Sequence, residues 1–339
     1  MLSFDVTMPT ALFVVTLVAI LLDRRIEGKL KTTFQERKFR MRDAILFVAM
    51  ISVAVSVIMF VPQMAIIVVF LFSYSTLLFT FSYIFSGIRK RRAQLFCLGF
   101  GLAALVAGSV ALLHPFADSW MFYGGLATYG LAAFAFFATL YEQMRKSSGE
   151  RWYLAVLPPA LFLLSYLFFK GTLLWFPYFF NIFAITFAIL ITLFLGSLFT
   201  WKITFIFAGL LTVMDIILVF GTGTMGTAAT TLLDLGLPIA VVLPRIPIQG
   251  AISFGGLGLG DFFFAGILAT QTHKKFGDKT AAISALVMAI SLGLFHVIQL
   301  YSKIEFFPAT VSVICGWLPV VAWKLVAERK TKSNIVIQN

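Results

Sequence analysis

Apolar runs of about 20 residues, the length of helix that crosses a bilayer's hydrocarbon core, follow one another along this chain almost without interruption. The pattern predicts eleven helices, near 8–22, 44–61, 64–87, 93–113, 119–141, 152–169, 173–199, 202–220, 251–272, 280–300 and 306–326. Breaks between some neighbours are short: Val61-Pro62-Gln63 makes one turn, and Thr200-Trp201-Lys202 is nearly the only polar punctuation between two long runs. Residues 226–243 are also apolar, but Asp234, Gly236, Pro238 and Pro244 interrupt them. They read as an external connector with a partly extended piece from Ile239 to Leu243, where β-branched residues lie between two prolines.

Composition agrees with the pattern. Hydrophobic residues make up 60% of the 339 and charged residues only 12%, against roughly 25% charged in an ordinary soluble domain. A soluble globule is thereby excluded, and an all-α polytopic membrane protein is expected. The net charge of +12 would suit nucleic acid in a soluble chain. Here the basic residues gather in short segments between apolar runs, so they read as topology signals and lipid contacts, with no nucleic-acid partner. The segment 23–43 holds eight of them, and 88–92, 142–151, 273–279, Lys202 and the C-terminal tail supply others on the same side. In all, 23 of 26 fall on one side of the predicted topology, leaving Lys170, Arg245 and Lys303 on the other. The basic side is cytoplasmic, so a multi-pass cell-membrane protein with its N-terminus outside and its C-terminus in the cytoplasm is expected. The first run starts with Asp5 and ends in Arg24 and Arg25, the reverse of a secretory signal's charge order, and is kept as a span. Cys97 and Cys315 both lie in apolar runs, which supports neither a disulfide framework nor a zinc cluster.

A charge in the bilayer core costs about 2.5–3.5 kcal/mol on insertion scales, so an intramembrane carboxylate marks a functional site by default. Only Asp215 and Asp261 lie within predicted spans, and no glutamate does so convincingly. Asp215 falls about two-thirds along its helix and Asp261 near the middle of the next, after four glycines, Gly255, Gly256, Gly258 and Gly260. The glycines permit close backbone approach and ease departure from helix. Two carboxyls close together in a poorly hydrated site share one proton. The pair then offers a base to activate water and an acid to protonate a leaving amine, which is sufficient for peptide hydrolysis without metal or cofactor. The same two residues would also serve an ion- or proton-coupled transporter, although no inverted repeat is evident.

Gly258-Leu259-Gly260-Asp261 resembles the Gly-x-Gly-Asp signature of the presenilin and signal peptide peptidase family of intramembrane aspartyl proteases. Met214-Asp215 stands where the family has Tyr-Asp, and Pro308-Ala309-Thr310 where it has Pro-Ala-Leu, each with one departure. The order of the elements is that of the family, and Leu237 to Arg245 resemble the extended segment of compact archaeal presenilin homologues. The resemblance covers about 202–326. It implies catalysis by Asp215 and Asp261 and a substrate site built from Met214, Gly258, Leu259, Gly260, the segment Ile239, Ala240, Val241, Val242 and Leu243, and Pro308 with Ala309. It also implies a presenilin-like bundle of nine core helices: an additional N-terminal hairpin at 1–63, core helices at 64–200, catalytic helices at 201–330 around a connector at 221–250, and a tail at 331–339. Membrane-spanning peptides or signal peptides are the expected substrates, no cofactor is implied, and the oligomeric state is left open. With the first catalytic helix running outward, the sense is that of signal peptide peptidase.

A substrate helix must unwind before hydrolysis. Ile239 to Leu243 are expected to receive it by strand addition, and Pro308 and Ala309 to shape the floor of the site, the proline by freeing a carbonyl four residues earlier. A prepilin-type peptidase also uses Gly-x-Gly-Asp, but its motif continues into lysine and this one into Phe262-Phe263. His-Glu-x-x-His and Gly-x-Ser-x-Gly do not occur. His296 reads as hydrogen-bonded core, His114 and His273 as helix ends, and the cluster Trp175 to Phe180 with Trp201 as interfacial aromatics.

Overall fold

A computed structural model of the chain describes residues 5–33, 39–58, 60–113, 119–145, 151–222, 224–246, 253–302 and 307–338. His114, Asp118, Lys146 and Lys303, the end of the expected connector and the first residues of the helices expected from 251 and 306 lie outside them. The described residues form helices α1 (Thr7–Thr33), α2 (Met41–Ile58), α3 (Gln63–Ile84), α4 (Lys90–Leu113), α5 (Ser119–Met144), α6 (Trp152–Phe169), α7 (Phe180–Leu198), α8 (Trp201–Ile216), α9 (Thr224–Asp234), α10 (Leu259–Phe276), α11 (Asp278–Ser302) and α12 (Ala309–Gln338). A hairpin of β1 (Ala240–Pro244) and β2 (Phe254–Gly258) lies between α9 and α10. Among the described residues, ten helices are long and apolar enough to cross a membrane. The protein is an all-α polytopic membrane protein. α10, expected as an eleventh span, is not among the ten; its 18 residues include Asp261, His273, Lys274 and Lys275.

Three differences from the sequence reading bear on function. The expected connector contains a helix, α9, because Thr224 to Asp234 carry Ala and Leu and bury Ala228 and Leu232, while Gly236 and Pro238 come only after it. The helix expected from 251 begins at Leu259 instead: glycine is a poor helix former, and Gly255 and Leu257 bond their backbone across to β1, holding Phe254 to Gly258 extended. Asp261 therefore stands in the first turn of α10, not near a helix middle. The residues read as a tail continue α12 to Gln338.

The chain divides into two compact units. One comprises Pro62–Phe183 and Asp234–Pro238. Within it α4 and α5 pack through small residues, including Ala104, Ala107, Ala132 and Ala135, the type of interface that drives helix association in lipid. It also holds a buried ion pair absent from the sequence reading. Glu142, in the last turn of α5, is 1% exposed and accepts from Arg151 Nε at 2.8 Å and from the Tyr153 hydroxyl. Arg151 also donates to the carbonyl of Ile88 at 2.6 Å.

The second unit comprises Met1–Val61, Ala184–Leu233 and Ile239–Asn339, and contains both predicted catalytic aspartates. In it α10 packs against α1, α8, α11 and α12. The last two helices approach so closely at Gly316 that a Cβ there would come within 2.6 Å of Met288 Cα. Among the polar residues expected in this region, His296 on α11 bonds Gln299 and lies within electrostatic reach of Arg245 and Asp5.

Candidate functional site

The site is built from the ends of three helices and the hairpin. Asp215 lies in the last turns of α8, where the helix changes to a wider π turn over Ile217–Gly221. Such turns often occur at functional positions. Its side chain is buried, and Oδ2 accepts the Thr310 hydroxyl at 2.6 Å. The Thr310 backbone N–H donates to the same carboxyl. Thr310 is the second residue of α12, so this N–H is one of the donors that a helix start leaves without an intrahelical partner. Asp215 thus caps α12 from another helix.

Asp261 is the third residue of α10, with Gly258 as the flanking residue before the helix. Its carboxyl accepts from the Gly258 N–H, the contact that an acidic side chain at this position makes in a capping box. A Cβ on residue 258 would come within 3.2 Å of Asp261 Oδ2, so the position favours glycine beside the carboxyl. The two aspartates lie within electrostatic reach of one another, and Asp261 is only half-buried. Each carboxyl is therefore braced at a helix N-terminus, where the macrodipole favours negative charge.

The hairpin ties β1 to this pair. Ala240 faces Gly258, Val241 faces Leu257, Val242 faces Gly256 and Leu243 faces Gly255. Ile239 C=O accepts the Leu259 N–H at 2.8 Å, carrying the ladder to the first residue of α10. At the other end Arg245 N–H donates to Ser253 C=O at 2.9 Å. In an antiparallel pair such bonds fall on alternate residues. The odd-numbered residues therefore bond across the hairpin, and the even-numbered ones direct their backbone groups outward.

This bears on the expected docking strand. Ile239, Val241 and Leu243 use their backbone groups within the hairpin, and Ala240 is buried. The fully exposed outward positions are on β2, at Phe254 and Gly256, while Val242 on β1 and Gly258 on β2 are half-exposed. Gly260 is exposed and Leu259 is buried beneath it. Met214 is half-buried beside Asp215, and its carbonyl accepts the Ile217 N–H where the π turn begins.

Pro308 and Ala309 stand at the start of α12, and their role is corrected by this position. A proline at a helix start breaks no intrahelical bond, so it frees no carbonyl of α12; it sets the point at which Thr310 presents its N–H and hydroxyl to Asp215. Thr310 is the residue the sequence reading missed as a contributor. Its only signal was a hydroxyl directly after Pro-Ala. Among the described residues, no three His, Cys, Asp or Glu side chains converge in a way that could hold a metal ion. In comparison with known proteins, the chain matches no family model, no curated protein and no solved structure.

Proposed function

We propose that this protein is an intramembrane aspartic endopeptidase of the presenilin and signal peptide peptidase type. The observation that carries the reading is the approach of the Asp215 and Asp261 carboxyls from two adjacent helices, each held by backbone N–H, beside an exposed extended edge. In hydrolysis the pair holds one proton between its two members. One carboxylate takes a proton from water as the water oxygen attacks the scissile carbonyl carbon. The protonated partner hydrogen-bonds the carbonyl oxygen, and a proton passes to the amine as the C–N bond breaks.

A peptide within a helix hides its carbonyls in its own hydrogen bonds, so an unwound segment must find other partners. Gly256, exposed on β2, offers outward N–H and C=O groups one short strand before Asp261. Membrane-spanning segments are the substrates that this environment suits. With the basic segments on the cytoplasmic side, α8 runs outward and α10 inward, and substrates enter with their N-termini in the cytoplasm.

The test is reconstitution of the purified protein in vesicles with a membrane-spanning peptide. Asp215→Asn and Asp261→Asn should each abolish cleavage, with a loss of at least about 1,000-fold by analogy with other obligate catalytic groups. Unaltered products from either variant would dismiss the mechanism.

A further inference from the structure

The start of α1 is wrapped around the hairpin at the end away from Asp261. Val6 N–H donates to Ile246 C=O at 3.1 Å, and the Thr7 hydroxyl donates to Pro244 C=O at 2.9 Å. Both acceptors are even-numbered, so both belong to the outward edge of β1. Pro244 has no N–H to offer a guest strand. Asp5, 4% exposed, accepts the Thr7 N–H at 2.9 Å and lies against the other strand, where a Cβ on Gly255 would come within 2.9 Å of its Oδ2. The far end of the same helix is fastened as well: Asp23 pairs with Lys274 of α10 at 3.3 Å, and Arg24 with Asp278 at the start of α11 at 3.2 Å.

An unprotected strand edge accepts any extended chain. We infer that Asp5–Thr7 is an edge cap within the catalytic unit: Val6 and Thr7 are positioning residues that occupy the Pro244–Ile246 end of the β1 edge and so direct a substrate to the edge of β2. The consequence is register. A guest on β2 runs alongside Gly256 toward Asp261, whereas a guest on β1 would meet the dyad from the wrong strand and displaced across the hairpin. Specificity for the scissile bond would then depend on a segment that touches neither substrate nor dyad. This inference rests on the protease reading for its purpose, but its geometry can be tested without cleavage.

The probe is a membrane-spanning peptide of about 20 residues, carrying a benzophenone at a central helix-breaking position and reconstituted with the full-length protein. Adducts are located by mass spectrometry in the wild type, in Thr7→Ser, in Thr7→Val, and in the double variant Val6→Pro/Thr7→Val. The wild type and Thr7→Ser, which keeps the donor, should attach at Phe254–Gly258. Removing both bonds should raise attachment at Ala240–Ile246 by roughly 30-fold, the shift expected from two hydrogen bonds of ordinary net strength. Thr7→Val alone should give a smaller rise in the same direction, and it carries the test if the double variant does not fold. A purely structural role would lower thermal stability and leave the attachment site unmoved. Attachment of the wild type at β1, absence of adducts from both strands, or an unchanged pattern in Thr7→Val and the double variant would each overturn the cap. Attachment at β2 without hydrolysis would count against the protease reading and leave the cap standing.

Discussion

Thr310 stands where the resembled motif has leucine, yet its hydroxyl donates to Asp215 at 2.6 Å. A hydrogen bond to a charged group contributes about 1.5–3 kcal/mol, which corresponds to roughly 10- to 100-fold in rate if it acts at the transition state. Thr310→Val should lower kcat by that factor in the vesicle assay, and Thr310→Ser should stay within a few-fold of the wild type. The buried Glu142–Arg151 pair follows a different logic. Arg151 has a side chain only 4% exposed, and its hydrogen bond to Glu142 holds its pKa above the ordinary arginine value, so it stays charged at all working pH. Arg151→Met would leave Glu142 without its cation, at a cost of about 3–5 kcal/mol, seen as a lower midpoint in thermal unfolding in detergent. Neither contact is legible along the chain. Asp215 and Thr310 are separated by 95 positions, and Arg151 reads from sequence as one more basic residue in a loop.

The apolar blocks of the sequence foretell the long helices well, because each is a local sum of transfer energies that needs no knowledge of the neighbours. Short elements depend on neighbours, and there the pattern is weaker. Phe254 to Gly258 form a strand only because β1 supplies the partner bonds, and this pairing moves the start of α10 to Leu259, so that Asp261 falls in its first turn. The extended character of Ile239 to Leu243 was legible from their β-branched residues, but not which edge faces outward, since that follows from register. Helix contacts carry a prediction of their own. Gly316 meets the backbone of α11 at Met288 and Val287, and backbone cannot rotate away as a side chain can. Gly316→Ala should cost about 1–3 kcal/mol, read as a loss of thermal stability and faster hydrogen exchange in α11 and α12.

At the scale of the molecule, the distribution of basic residues predicts sidedness. A cysteine introduced at Ser333, in the C-terminal part of α12, should react with a membrane-impermeant thiol reagent only from the cytoplasmic side. Labelling from outside would reverse the proposed substrate orientation. The N-terminal helix α1, legible only as an extra span, packs within the unit that contains both aspartates and contacts the hairpin, α10 and α11. What the sequence by itself determined was the solvent: a chain this apolar must fold in lipid as helices, and the two aspartates inside its predicted spans mark where chemistry is possible. What only the tertiary structure decided was the company those acids keep, namely Thr310, Gly258 and the outward edge of β2. Burial in lipid is set residue by residue, whereas a hydrogen bond is set by the position of both partners, and those positions exist only once distant helix ends have met.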